Sequence, residues 1–226
     1  MIGRTLALET LASSGLGAGL SSDQLSRVMQ AAQLKQLPPG ALILRQLEEA
    51  GDVYLPCSGT IMVDRNSIKG RRQVVGFLQR GDYLGFTSTR RYLYSATCLE
   101  DCMLLKFRRT EFERVSGEIP RLKENVATIN NAVMTRLLDH LFAIGQKRAH
   151  ERLAFFLNQL RKRNGGINTI ALPMSRTDIG DYLGLTLETT SRAFSRLRQE
   201  NIIRTPNHHS VVIEDLEALA QLAEIH

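Results

Sequence analysis

The sequence predicts an α+β protein in which two regions of different texture are joined by a long helix. From Leu34 to Arg109, short apolar runs alternate with Gly, Pro and Asp, a pattern typical of short strands and turns. From Pro120, apolar residues recur every three or four positions, which indicates one long helix. The last part reads as several helices and a β-hairpin. We therefore predict a β-barrel or sandwich over residues 1–119, the helix over 120–145, and a helical region with a hairpin over 146–226.

The composition is that of a globular protein with a basic balance. The 226 residues are enough for two domains, and 43% of them are hydrophobic and 23% charged. The net charge of +6 and the pI near 9.5 favour polyanionic partners. Between Gln146 and Arg198 there are ten Lys or Arg residues and only four acidic residues, so the positive charge is concentrated in the last predicted part.

Cysteine usage and hydropathy predict a cytoplasmic protein. Cys57, Cys98 and Cys102 are an odd, sparse set, which favours a reducing compartment over a disulfide framework. No apolar run approaches the roughly 20 residues of a membrane span. The first residues also lack the pattern of a secretory leader. We therefore expect no membrane partner.

The first region begins with a predicted helix and continues as strands. The stretch "SSDQLSRVMQAA" has Ser22 as the expected N-cap and Leu25, Val28 and Met29 at helical spacing. "LPPGALILRQLEEAGDVYLPCSGTIMVDRN" and "RRQVVGFLQRGDYLGF" indicate short strands joined by turns, and "YSATCLEDCMLLKFRR" ends the region with one more strand pair.

One apolar stripe runs along the predicted long helix. A stripe of this length between two regions of different texture predicts a coiled-coil-like dimer seam. The alternative is a helix that packs on its own domain. The stripe consists of Leu122, Val126, Ile129, Val133, Leu137, Leu141 and Ile144, and Gly145 is the expected break.

The last region has the element order of a winged helix-turn-helix. "RAHERLAFFLNQLRKR" is an amphipathic helix, "TIALPMS" a short strand, and "SRTDIGDYLG" a helix in which Ser175 and Asp178 have capping-box spacing. A second helix begins at Thr186, directly after the Gly184–Leu185 turn. "IIRTPNHHSVVIED" predicts the hairpin and "LEALAQLAE" a closing helix.

The second helix of such a motif lies in the DNA major groove and reads base edges with its first turns. Its predicted apolar face is formed by Phe194 and Leu197, with Thr190 on the same side, and the opposite face carries the candidate base-reading residues Glu188, Ser191 and Arg192. Arg can bind guanine with two hydrogen bonds, Glu can accept from cytosine, and Ser can bind either way. The alternative is a solvated face, since Glu188 and Arg192 can pair four residues apart.

Phosphate contacts are expected where helix N-termini direct amide groups outward. The candidates for these contacts are Arg176, Thr186, Thr189 and Arg196.

The segment "LPMSRTDIGDYLGLTLETTSRAFSRLRQENII" closely resembles the helix-turn-helix of the Crp/Fnr superfamily of bacterial transcription regulators. The form E-x-x-S-R at Glu188, Ser191 and Arg192 resembles the Fnr/FixK branch. "PPGALILRQLEEAGDVYLPCSGTIMV" and "VGFLQRGDYLGF" resemble the cyclic-nucleotide-binding-type β-roll of the family, and the helix from Pro120 resembles its dimerisation helix. The turns of the roll are expected at Gly51, Gly59, Gly81, Asp82 and Gly85.

The resemblance implies a homodimer that binds double-stranded DNA at a site like TTGAT–N4–ATCAA, with RNA polymerase as a further partner. Arg192 would read guanine, Glu188 the opposing cytosine, and Ser191 a thymine. The chain departs from the family at Thr190, where Val or Ile is more usual. It also departs in the wing "TPNHHS", where a glycine is usual and His208 and His209 lie either near phosphate or simply in solvent.

Further departures concern the effector. In members that bind cAMP, a Glu after the equivalent of Gly85 and a later Arg hold the ribose and phosphate; here Phe86 follows, and the Arg position falls near Tyr92 or Tyr94. We therefore expect no cyclic-nucleotide binding. Arg90 and Arg91 form a possible effector loop for another anion, with a solvated loop as the alternative.

No cofactor, metal or enzymatic activity is expected. Three cysteines cannot supply four iron–sulfur ligands, and His140 is the one histidine of the predicted sensor half that could ligate haem. No phosphate-binding loop or nucleophile–base motif appears. We expect a regulator that is effector-independent or responds to an effector other than cAMP; the alternative is a regulator of the same family gated by a small anion, haem or a thiol.

Overall fold

The computed structural model describes residues 2–224, and the chain folds into two compact units that divide between Met134 and Thr135. The first unit begins with helices α1 (Ile2–Ser13) and α2 (Ser22–Gln30). Ser21, and not the predicted Ser22, is the N-cap of α2. Its hydroxyl accepts a hydrogen bond from the Gln24 amide at 3.3 Å, and the Gln24 side chain accepts one from the Ser21 amide at 2.9 Å. This reciprocal pair forms a capping box that fixes where the helix starts.

Seven strands follow, as the alternation of apolar runs and turns predicts. They are β1 (Ala32–Leu37), β2 (Leu42–Leu44), β3 (Asp52–Ser58), β4 (Ile61–Asn66), β5 (Arg72–Leu78), β6 (Ser95–Cys98) and β7 (Cys102–Arg108). They form two antiparallel sheets, with strand orders β1-β7-β3 and β2-β6-β4-β5. Of the glycines and the aspartate that the family resemblance places at turns, Gly59, Gly81 and Gly85 have positive φ, whereas Gly51 does not.

The sheet β1-β7-β3 is covered on both faces. Side chains of a strand alternate between the two faces, so Leu104 packs into the core between the two sheets, whereas Leu105 and Phe107 pack on the other side. That second core also contains residues of α1, such as Ala7 and Leu11. Burial on both faces explains why the sequence of β7 is apolar almost without interruption.

Two helices complete the first unit and lead into the second. Helix α3 spans Arg109–Glu118, and helix α4 spans Pro120–Gln146, which matches the predicted range of 120–145 to within one residue. Gly145, the expected break, is the penultimate residue of α4. Among residues 2–224, no helix is long and apolar enough to cross a membrane.

The second unit has the predicted order of elements. Its members after α4 are α5 (Ala149–Arg163), β8 (Thr169–Ala171), α6 (Arg176–Leu183), α7 (Leu187–Gln199), β9 (Ile203–Asn207), β10 (Ser210–Ile213) and α8 (Leu216–Ala223). The three strands form one antiparallel sheet in the order β8-β10-β9. The chain is thus a mixed α and β protein with an N-terminal β-roll, a long helix and a C-terminal winged helix-turn-helix.

Two glycines shape the turn between α6 and α7. Gly184 ends α6 in the left-handed conformation, with φ of 65°, which is favourable only for a residue without a Cβ. Gly180 lies where α7 comes closest, because a Cβ there would meet the Leu185 carbonyl oxygen and the Thr190 hydroxyl at 2.9 Å each. The Ser175–Asp178 capping box predicted for α6 is present. Local chemistry therefore fixes both ends of α6 and how closely α7 packs against it.

Within the second unit, α4 is joined to α6 by an aromatic contact. The His140 ring stacks on the Tyr182 ring with centroids 4.0 Å apart and planes 17° from parallel. Tyr182 in turn lies 5.3 Å from the Phe156 ring of α5. Burial lowers the pKa of His140 below its ordinary value and raises the pKa of Tyr182 to about 12, so both rings are uncharged at neutral pH.

Candidate nucleic-acid interface

Helix α7 presents one apolar face inward and one polar face outward. Thr190, Phe194 and Leu197 are buried, as the sequence predicts. The Thr190 hydroxyl donates to the Thr186 carbonyl oxygen at 2.9 Å, which satisfies the polar atom at a position where the family more often has an apolar residue. The inward face thus packs against the rest of the unit, and the outward face is not needed for packing.

The three candidate base-reading residues lie together on that outward face. Glu188, Ser191 and Arg192 are spaced three and four residues apart, and all are exposed. The guanidinium of Arg192 pairs with the Glu188 carboxylate while both side chains remain about 75% exposed. An exposed pair of this kind contributes roughly 0–1 kcal/mol, so base edges can replace it at little cost.

The N-terminus of α7 is capped by a pair of threonines. The Thr186 hydroxyl accepts a hydrogen bond from the Thr189 amide at 3.2 Å, and the two hydroxyl oxygens lie 2.9 Å apart. Thr186 is exposed and Thr189 is half-buried. The predicted phosphate ligands therefore lie at the positive end of the helix dipole, where an anion is stabilised.

Arg176 does not extend freely into solvent. Its guanidinium carbon lies over the Phe194 ring, 3.4 Å from the centroid, and its Nη1 atom is buried without a hydrogen-bond partner. Burial, and secondarily the charge of Arg198, lowers the pKa of Arg176 to about 10, so the side chain stays cationic at neutral pH. The Phe194 ring holds the Arg176 guanidinium in place, and the Nη1 donor of that guanidinium has no hydrogen bond.

Arg176 lines a groove between α7 and the β9–β10 hairpin. The groove has a volume of about 380 Å³ and is formed by Arg176, Ser191, Phe194, Ser195, Arg198 and the hairpin residues Thr205 to His208. Within the described part of the chain, no carboxylate lines it. The groove therefore has the shape and charge to receive an anion beside the outward face of α7.

Arg198 is a further cation at this groove, for which the sequence predicts no particular role. In the structure Arg198 donates to the Ser195 hydroxyl at 3.0 Å and to the Thr205 hydroxyl at 3.4 Å, which directs it across the groove. The signal in the sequence was its spacing, because Arg198 follows Ser191 by seven residues and so lies on the same side of a helix.

Arg196 lies on the opposite edge of α7. Its Nε donates to the Glu200 carboxylate at 2.8 Å, and its Nη1 is 3.2 Å from Nδ1 of His150 on α5. The Arg196 side chain is nevertheless about half exposed. The four residues predicted to contact phosphate thus surround the outward face of α7. Thr186 and Thr189 lie at the start of the helix, and Arg176 and Arg196 lie on either side of that face.

The structure divides the predicted dimer seam on α4. Leu122 is buried in the core of the first unit, and Val126 and Ile129 pack against the same core. These three residues contact their own unit, and Val126 and Ile129 remain half-exposed, so contact of the seam with a second chain stays a prediction. Leu137 and Leu141 are exposed. Val133 and Ile144 are half-buried.

Two residues of the predicted seam, Leu137 and Leu141, belong to an exposed apolar stripe on α4. Its members are Met134, Leu137, Leu138, Leu141 and Phe142, each between 44% and 67% exposed. We call these five residues the exposed stripe. Five large apolar side chains on two and a half helical turns form a continuous apolar patch, unlike apolar residues that are scattered singly over a surface.

We call the residues around Gly85, Phe86 and Tyr94 the effector region of the roll. In this region aromatic rings pack together and backbone groups form hydrogen bonds. Phe86 packs against Tyr83 and Phe112, with ring centroids 3.9 and 5.6 Å away. The Tyr94 hydroxyl accepts a hydrogen bond from the Gly85 amide at 2.9 Å. Sequence analysis missed Arg109, whose guanidinium donates to three backbone carbonyls, at Ala50, Gly85 and Thr87.

Of the other candidate sensor groups, only the thiols of Cys98 and Cys102 are seen in hydrogen-bond contact with each other among the residues described. Arg90 and Arg91 are exposed, and Arg91 donates to the Leu47 carbonyl at 3.1 Å. Cys57, Cys98 and Cys102 are buried free thiols, and burial raises the pKa of Cys57. Among the residues described, no three His, Cys, Asp or Glu side chains are arranged to hold a metal ion.

Comparison with known proteins identifies the same two parts. Residues 34–118 match the model of the cyclic nucleotide-binding domain, and residues 151–222 match that of the Crp-like helix-turn-helix domain. The chain is 32% identical over 220 residues to the nitrogen fixation regulation protein FixK of Azorhizobium caulinodans, covering 92% of this chain and 88% of that protein. It is 30% identical over 207 residues to the fumarate and nitrate reduction regulatory protein of Escherichia coli, covering 89% and 82%.

A solved structure agrees with these sequence matches. FixK2 from Bradyrhizobium japonicum superposes with a TM-score of 0.80 at 30% identity, covering 86% of this chain and 98% of that one. The likeness extends over both the roll and the helix-turn-helix, so the two parts occur together in the similar protein as they do here.

Proposed function

The chain belongs to the Crp/Fnr family of DNA-binding transcription regulators, and from that premise we propose that it binds, as a homodimer, a two-fold symmetric site similar to TTGAT–N4–ATCAA. The observation that carries the proposal is the outward face of α7, where Glu188, Ser191 and Arg192 lie exposed on a helix whose other face is fully packed. Arg192 reads the guanine of TTGAT, Glu188 the cytosine paired with it, and Ser191 a neighbouring thymine.

The groups around that face support contact with the DNA backbone. Thr186 and Thr189 stand at the N-terminus of α7, Arg176 and Arg198 line the groove beside the hairpin, and Arg196 lies on the other edge. Contacts of this kind fix the position of a protein on the duplex, and they leave sequence discrimination to the base-reading face.

The exposed stripe supports the homodimer. We propose that α4 pairs with α4 of a second copy through these five residues, which revises the seam expected from the sequence. Two copies related by a two-fold axis match the two-fold symmetry of the proposed site. Residues 120–145 then serve as the dimerisation helix between a roll of residues 1–119 and a DNA-binding domain of residues 146–226, and RNA polymerase is the proposed further partner.

The filled effector region supports a regulator that does not respond to cAMP. A bound cyclic nucleotide needs an acceptor for the ribose and a free cation for the phosphate. Phe86 provides no acceptor, Tyr94 stands where the cation is expected, and nearby Arg109 already donates to three carbonyls. The chain acts without an effector or with one of a different kind.

Fluorescence anisotropy on two labelled duplexes tests the proposed function. One duplex carries TTGAT–N4–ATCAA, and in the other both half-sites are scrambled. At about 150 mM salt we expect the first to bind about a thousandfold more tightly, the usual ratio of specific to non-specific binding. Equal affinity for the two duplexes would contradict the proposal.

Sedimentation tests the homodimer. Replacing Leu137 and Leu141 by Asp places two charges in the exposed stripe, and we expect a monomer that no longer prefers the symmetric duplex. Ala132→Asp is the matched control, because Ala132 is exposed on another side of the same helix. A double variant that remains dimeric would locate the interface elsewhere.

A further inference from the structure

His150 is a buried histidine in contact with an exposed arginine of the DNA-binding helix. It is the second residue of α5, and its side chain is 7% exposed. Its Nδ1 atom lies 3.2 Å from Nη1 of Arg196, and its Nε2 atom lies 4.0 Å from the Glu151 carboxylate. The imidazole therefore lies between an arginine of α7 and an acidic residue of its own helix.

The chemistry of the pair fixes the protonation state of the ring. A guanidinium has only donors, so Nδ1 of His150 must be the acceptor and the proton must be on Nε2, toward Glu151. Burial, and secondarily the charge of Arg196, lowers the pKa of His150 below its ordinary value. The neutral ring and the Glu200 carboxylate then hold Arg196 from two sides, on Nη1 and Nε.

We propose that His150 is a positioning residue for DNA binding: its neutral ring holds the Arg196 guanidinium at the edge of α7 for a backbone phosphate, and protonation of the ring releases it. This inference rests on the proposed function, because it assigns the phosphate contact of Arg196 to the same interface. It adds a residue that sequence analysis did not consider and makes the contact depend on pH.

The direction of the pH effect follows from the charges around the ring. Arg196 and Arg148 oppose a proton on His150, and Glu151 and Glu200 favour one. A protonated ring turns Nδ1 into a donor that faces the Arg196 donor at 3.2 Å. A phosphate beyond Arg196 would favour the protonated ring, but from farther away and through solvent, where the attraction is weaker. Affinity is therefore retained above the pKa of His150 and falls as the pH drops through it.

Two variants separate the effect of the hydrogen-bond acceptor at His150 from the effect of protonating its ring. His150→Asn keeps an amide oxygen near the position of Nδ1 but does not titrate, and His150→Leu keeps an apolar side chain without an acceptor. At pH 8 we expect His150→Asn to bind the TTGAT–N4–ATCAA duplex like the unmodified protein. His150→Leu should match Arg196→Ala, with affinity lowered about tenfold and the salt dependence reduced by one phosphate contact.

The decisive measurement is the ratio of the affinity of the unmodified protein to that of His150→Asn, from pH 8 to one pH unit below the pKa that NMR titration gives for His150. The other histidines, including His208 and His209, are shared and cancel in the ratio. We expect the ratio to fall about tenfold as the pH drops, and to stay constant when both proteins also carry Arg196→Ala. Parallel pH profiles, with the preference for the symmetric duplex intact, would overturn this inference and leave the proposed function standing.

A readout without DNA keeps the two proposals separable. In the histidine NMR titration of the full chain, Arg196→Ala should raise the pKa of His150, because it removes a positive charge in contact with the ring. An unchanged pKa would show that the contact does not position Arg196, whether or not the protein prefers the duplex. Thermal unfolding of each variant confirms that the fold is retained.

Discussion

Each unit of the molecule contains an arginine close to its candidate site, and the two are used in opposite ways. Arg109 in the roll donates through Nε, Nη1 and Nη2 to three backbone carbonyls. Arg192 on α7 contacts only a neighbouring exposed carboxylate and stays 75% exposed. One guanidinium is built into the fold, and the other is available to a partner.

Availability of a cation, and not its presence, distinguishes these two arginines. In the roll, Phe86 packs against Tyr83, and the Tyr94 hydroxyl accepts a hydrogen bond from the Gly85 amide, so the groups near Arg109 are also engaged in internal contacts. On α6 and α7, Arg192 stays exposed and Nη1 of Arg176 is buried without a partner. We expect substitutions at these arginines to separate effects on stability from effects on DNA binding.

Removing Arg109 should have the largest effect, and the effect is on stability. Arg109→Ala leaves carbonyl groups at Ala50, Gly85 and Thr87 without their donor, which should lower the free energy of unfolding by about 2–4 kcal/mol. Chemical denaturation measures the change. Arg108→Ala is the control, because Arg108 is exposed and should change stability by less than about 0.5 kcal/mol. An Arg109→Ala variant as stable as this control would remove the contrast between the units.

Removing Arg192 should affect discrimination and leave stability unchanged. Arg192→Ala loses a two-pronged contact to guanine, which should reduce the preference for the symmetric duplex by about 1–3 kcal/mol per half-site at that base pair. Arg192→Lys keeps the charge without the fork and should recover affinity but not discrimination. The measurement is anisotropy on duplexes with the guanine substituted. If the ratio between duplexes does not change, the outward face of α7 is only a solvated face.

Removing Arg176 should weaken binding to all sequences alike. Arg176→Ala loses a phosphate contact in each half-site, so the affinity for cognate and scrambled duplex should fall together by about 1 kcal/mol per half-site, and the slope of log affinity against log salt should decrease by about one per half-site. Salt titrations on both duplexes provide the slopes. The variant also uncovers Phe194, so its unfolding transition must be compared with that of the unmodified protein. A selective loss on the cognate duplex would instead assign Arg176 to base reading.

The smallest effect is expected from cyclic nucleotides. If, as proposed, Phe86 stands at the ribose-acceptor position and a tyrosine, Tyr92 or Tyr94, near that of the phosphate ligand, cAMP or cGMP should change DNA affinity by less than about twofold. Titration calorimetry of the free protein should register no binding at micromolar concentration. A stoichiometric complex would mean that the rings move aside and that the roll remains a nucleotide sensor.

The elements predicted best are those whose ends are fixed by neighbouring residues. The capping box of Ser175 and Asp178 and the left-handed Gly184 define α6 without help from the rest of the fold. Helix α1 was missed because its buried residues, such as Ala7 and Leu11, find their partners in strands far along the chain. The N-cap of α2 was misplaced by one residue because two serines stand side by side and only one of them pairs with Gln24.

The sites were less predictable than the fold because each depends on which group lies opposite. On α4 the predicted seam and the exposed stripe share Leu137 and Leu141. Spacing alone does not indicate that the seam is buried in its own unit at Leu122 and exposed at these two residues. The sequence identifies Arg176 as a cation but not that a phenyl ring lies beneath it. His150 and Arg196 are 46 residues apart, so their contact exists only after α5 and α7 pack together.

The stack of His140 on Tyr182 has a consequence for the spacing of the DNA site. It joins the part of α4 that carries the exposed stripe to the first helix of the helix-turn-helix, and Gly180 lets that helix pack closely against α7. In the proposed homodimer, the distance between the two reading helices is therefore set by rigid packing from α4 through α6. For the proposed complex we therefore expect that a change at Tyr182 alters the length of spacer that is accepted between the half-sites, while the bases that are read stay the same.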